Sequence, residues 1–74
     1  MRETNIKTLY DVQQLLKKFG IYVHLGKRLW DIELMALELD RLYQEKVIDQ
    51  ANFITCKLVL TREHNYEEKQ AGNY

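Results

Sequence analysis

An all-α fold, a compact three-helix bundle with an extended connector between its first two helices, follows from three features of this 74-residue chain. Apolar residues recur at helical spacing in three separate stretches, and N-capping residues precede two of them. Only Gly20 to Gly26 has the β-branched and aromatic composition of extended chain. With no second strand to pair with, that segment cannot found a sheet and is expected to pack across the helices.

Helix one begins at Leu9, because Thr8 suits the N-cap and Asp11 stands at the third helical position, where a carboxylate favours the positive end of the dipole. Leu9, Val12, Leu15, Leu16 and Phe19 form one apolar stripe, and Gly20 can close the helix in a left-handed conformation. Helix two spans about Lys27 to Glu45 and carries two stripes. Leu29, Ile32, Ala36, Leu39 and Tyr43 lie on one side, with Trp30, Leu34 and Leu37 on another. Such a helix reads as central, with a neighbour on each side, and Trp30 in its first turn is expected to cover the bundle end. The other reading of the second stripe is a contact with a partner or a second copy.

Asp49 fits the N-cap of a third helix starting near Gln50, with Ile48 placed to pack on Phe53 as a hydrophobic staple. Its inward stripe is expected to be Ala51, Ile54, Leu58 and Thr61, with Phe53 and Leu60 beside it. The helix should fade into the polar run from Arg62 to Tyr74, which makes residues 1–74 a single domain with a frayed tail from about 63.

Apolar and aromatic residues make up 46% of the chain and charged ones 30%, which places it among globular rather than disordered sequences. No apolar run is long enough to span a bilayer, and the N-terminus lacks the apolar core of a signal peptide. A lone Cys56 cannot form an intramolecular disulfide, so a cytoplasmic location without a membrane role is expected. The zero net charge argues against a bulk electrostatic binder of duplex DNA.

That balance conceals a segregation. No acidic residue lies between Asp11 and Asp31, yet the window holds Lys17, Lys18, Lys27 and Arg28 among Phe19, Tyr22, His24 and Trp30. Residues 31–45 hold five carboxylates against the single Arg41, so the surface is expected to be dipolar. Four cations near stackable rings point to weak, sequence-tolerant binding of single-stranded RNA or DNA by Lys17, Lys18, Lys27 and Arg28, with Tyr22 and His24 as stacking surfaces. If each cation met a phosphate, affinity would fall roughly fifty-fold from 50 to 200 mM salt. Solvated helix-end lysines are the plainer explanation for Lys17 and Lys18. The contrasting expectation is a protein-interaction module or self-associating bundle that uses Trp30, Leu34 and Leu37.

Catalysis has no candidate dyad, and Cys56 has no adjacent histidine to activate it, so the chain does not read as an enzyme. His24, Cys56 and His64 do not make a metal site of usual spacing, and three scattered glycines cannot build a phosphate loop. No cofactor is implied.

The stretch from Leu9-Tyr10-Asp11-Val12-Gln13-Gln14 to Gly20, followed by Gly26-Lys27-Arg28 and Ile32-Glu33-Leu34-Met35, resembles the YqgQ-like family of small uncharacterised proteins from Gram-positive bacteria. The resemblance covers roughly Thr8 to Arg62. It implies a three-helix bundle and an ability to bind single-stranded nucleic acid.

Overall fold

A computed structural model describes residues 6–71 as three helices, α1 (Leu9–Lys17), α2 (Arg28–Gln44) and α3 (Gln50–Ala71). No strand occurs among the described residues. The Thr8 side chain accepts the Asp11 N–H at 3.2 Å, while the Asp11 carboxylate accepts the backbone N–H groups of Lys7 (2.9 Å) and Thr8 (3.1 Å). This reciprocal capping box satisfies donors that the first turn leaves orphaned. The Lys7 and Thr8 N–H groups, in that order, hold the Asp11 carboxyl below the ordinary value of 3.8. A depressed carboxyl contributes stability above its unfolded pKa and loses it as the pH falls through the folded one. Thermal melts of the wild type and Asp11→Asn should therefore differ at neutral pH, with the gap closing below about pH 4.

α1 closes through paired bonds from Ile21 N–H to the Leu16 carbonyl (3.1 Å) and from Gly20 N–H to the Lys17 carbonyl (3.0 Å). That geometry needs Gly20 at its φ of 77°, and glycine reaches it without strain. α2 ends the same way, with Val47 N–H on the Leu42 carbonyl (2.9 Å) and Lys46 N–H on that of Tyr43 (3.0 Å), but there Lys46 occupies the left-handed region. The Asp49 carboxylate caps α3 by accepting the Asn52 N–H at 2.9 Å.

The core joins Val12, Leu15 and Leu16 of α1, Ile32, Met35, Leu39 and Leu42 of α2, and Cys56, Val59 and Leu60 of α3, with Ile48 from the α2–α3 turn. Val23 enters this core from the extended connector, as expected, and the Gln13 amide donates to the Val23 carbonyl at 3.4 Å.

Three expectations are corrected. The inward stripe of α3 is Cys56, Val59 and Leu60 with Phe53 beside it, while Ala51, Ile54, Leu58 and Thr61 are exposed. That rotation buries Cys56, Val59 and Leu60 and sets Lys57 against Asp40 at 2.8 Å and His64 against Glu33 at 2.9 Å. Phe53 accordingly stacks on Tyr43 of α2, ring centroids 4.2 Å apart.

Trp30 is also not covered, being 54% exposed, and Leu37 is 65% exposed. Each lies two residues before an inward residue, Ile32 and Leu39, so a 100° turn per residue carries it to the opposite face. α2 therefore packs along one broad face rather than two, and of the second stripe only Leu34 joins the core margin.

The third correction concerns the tail. α3 continues past residue 63 to Ala71, and along that stretch Glu63 and Glu67, one turn apart, both engage Arg28 at the start of α2. Residues 72–74 of the expected tail lie outside the described residues.

Candidate nucleic-acid interface

Lys17 and Lys18 end α1, Tyr22 and His24 stand on the connector, and Lys27 and Arg28 open α2. All six are exposed. In extended chain successive side chains alternate sides, so burial of Val23 turns Tyr22 and His24 outward, Tyr22 being 72% exposed.

Three depressions border five of these six residues. One of about 250 Å³ is lined by Gln13, Lys17, Tyr22 and His24. It adjoins a second of about 630 Å³, which shares Gln13 and His24 and adds Tyr10, Arg28 and Asp31. Arg28 also borders the third, of about 420 Å³, beside Lys27 and Trp30. The resulting path runs from the end of α1, along the connector, to the start of α2. Lys18 lines none of the three.

The cations on this path differ in what surrounds them. Arg28 is engaged by Glu63 at 3.1 Å and Glu67 at 3.0 Å, so its fork already grips carboxylates. Lys27 stands over the Trp30 ring, 5.4 Å from its centroid, where the indole face attracts it. The expected dipole is correspondingly reduced: α3 supplies Lys57 to Asp40 and His64 to Glu33, and Arg41 pairs with Glu38 within α2.

Asp31 escaped the sequence reading as a site residue. It is 8% exposed in the first turn of α2, and its Oδ1 accepts the Leu25 N–H at 2.6 Å. That bond ties the connector to α2 beside Gly26, whose φ is 99°. A carboxylate in a first helical turn was visible as a dipole partner, but nothing local revealed its reach back over six residues to the connector.

Among the described residues, no three His, Cys, Asp or Glu side chains come together in a way that could hold a metal ion. No helix is long and apolar enough to cross a membrane.

The YqgQ-like family model matches residues 6–66. The chain belongs to the YqgQ-like family. It is 43% identical over 58 residues to the uncharacterized protein YqgQ of Bacillus subtilis (strain 168), an alignment spanning 78% of this chain and 82% of that protein. The family match takes in all six candidate residues, Asp31 and Glu63, whereas Glu67, the second partner of Arg28, lies beyond it. The part of α3 that outruns the YqgQ-like match is thus the part that clamps Arg28 a second time.

Proposed function

We propose that this YqgQ-like protein is a non-enzymatic, cytoplasmic binder of single-stranded RNA or DNA, held weakly and with little dependence on sequence. The observation that carries this reading is the succession of three depressions that share the lining residues Gln13, His24 and Arg28 and are bordered by Lys17 and Lys27 and by the exposed rings of Tyr22 and Trp30. Rings stack on any base, and cations beside them meet the backbone without reading sequence. Burial of the lone thiol, Cys56, accords with a reducing compartment.

Arg28 takes a structural role in this reading, since a phosphate would have to displace two carboxylates from it. The salt dependence therefore shrinks from the four-cation value. With Lys17 and Lys27 as the phosphate contacts, affinity should fall about sevenfold between 50 and 200 mM salt. Fluorescence anisotropy of a labelled oligonucleotide checks this, with Lys17→Ala/Lys27→Ala expected to flatten the salt dependence and Arg28→Ala to leave its slope unchanged. No binding at about 50 mM salt overturns the proposal. A second reading would then stand, contact with a protein partner or second copy, favoured by the exposure of Trp30 and Leu37 on α2.

A further inference from the structure

The largest chamber on the path does not suit a phosphate. Asp31 and Glu63 both line it, and its one arginine, Arg28, is already paired with Glu63 and Glu67. Tyr10 and His24, both exposed, supply ring faces at the same cleft, and its 630 Å³ lies within the range of small-molecule sites. Those features fit a neutral base turned off the strand.

We infer that this cleft receives one guanine base of a bound single strand, whose hydrogen-bond-donating edge is read by Asp31. The inference rests on the strand-binding reading above and narrows it: contacts along the rest of the path stay sequence-tolerant, and base preference is confined to this one position. A carboxylate accepts hydrogen bonds and cannot donate them, so it favours a base edge made of donors. Guanine presents two neighbouring donors, N1–H and the N2 amino group, whereas uracil sets a single N–H between two carbonyls. Asp31 is fixed for the task. The Leu25 N–H holds its Oδ1, and Oδ2 is the second acceptor of the same carboxylate. Gln13, whose amide nitrogen donates to the Val23 carbonyl, also lines the cleft. Reading a displaced base by its Watson–Crick edge while stacking it on side-chain rings is an established mode of recognition.

The test compares three labelled oligouridine strands that differ at one central position, carrying guanosine, inosine or adenosine. Inosine keeps N1–H and lacks the N2 amino group. The guanosine strand is expected to bind the wild type about tenfold more tightly than the inosine strand, the effect of one hydrogen bond to a charged acceptor. Asp31→Asn retains an oxygen for the Leu25 N–H but sets a donor opposite guanine's donors, so the two strands should bind it alike. Its thermal melt shows whether the variant is folded, and the inosine comparison on the wild type stands without it. Equal affinity for all three strands overturns the guanine site while leaving strand binding in place. Failure of every strand to bind overturns both.

Discussion

Leu39→Ala is expected to destabilise the bundle by about 2–5 kcal/mol, the range for removing a fully buried leucine side chain. Leu39 has no exposed surface and lies on α2 between Met35 and Leu42, within the buried cluster to which all three helices contribute. A chain this short buries only about 60% of its unfolded surface, so little reserve offsets the cavity. At roughly 4–8 °C per kcal/mol for a domain of this size, Tm should drop by about 8–40 °C in a circular-dichroism melt. Leu58→Ala is the matched control: the same residue type on α3, 66% exposed, should change stability by no more than about 0.5 kcal/mol. A comparable loss at Leu58 would show that its side chain is covered in solution, contrary to the monomer fold.

The contrast between Leu39 and Leu58 also marks how far the sequence could be read. α1 was legible at its start because its signals are local, whereas its helical run stops at Lys17, two residues before the expected Phe19, which is exposed. Thr8 and Asp11 stand three residues apart, Gly20 follows the last apolar residue, and every bond they make lies within a few residues. α3 was legible as a helix but not in its rotation. Phe53, Ile54, Cys56, Leu58, Val59 and Leu60 spread apolar side chains around the whole helix, so periodicity allows more than one inward stripe. The choice between stripes is tertiary: the one that packs Cys56, Val59 and Leu60 on α2 also brings Lys57 and His64 to Asp40 and Glu33, partners 17 and 31 residues away in the chain. Trp30 was misplaced for a related reason. Ring size argued for burial, yet the register of α2 is set by Ile32, Met35 and Leu39, which send Trp30 outward. The candidate site divides along the same line. Its connector residues were visible as an acid-free aromatic stretch, while the engagement of Arg28 by Glu63 and Glu67 is a tertiary fact with no local signature.

Tyr22→Ala should weaken single-strand binding by about 5- to 150-fold, because stacking a base on an aromatic side chain contributes about 1–3 kcal/mol. Tyr22 is more exposed than the Tyr10 and Trp30 rings, and its backbone is held where the chain cannot easily retreat. Ile21 packs on the core before it, Val23 is buried after it, and Gln13 donates to the Val23 carbonyl. A ring so anchored loses little freedom when a base stacks on it, which preserves the interaction energy for binding. Tyr22→Phe keeps the face and should bind within about twofold of the wild type, so the pair separates stacking from hydrogen bonding by the hydroxyl. Tyr66→Ala supplies the control on α3, for Tyr66 is 57% exposed but borders none of the three depressions. Equal losses at Tyr22 and Tyr66 would mean that affinity comes from exposed rings in general and not from the connector path. An unchanged affinity in Tyr22→Ala would remove stacking on the connector altogether. Binding would then rest on the lysines, whose contribution the salt series measures separately.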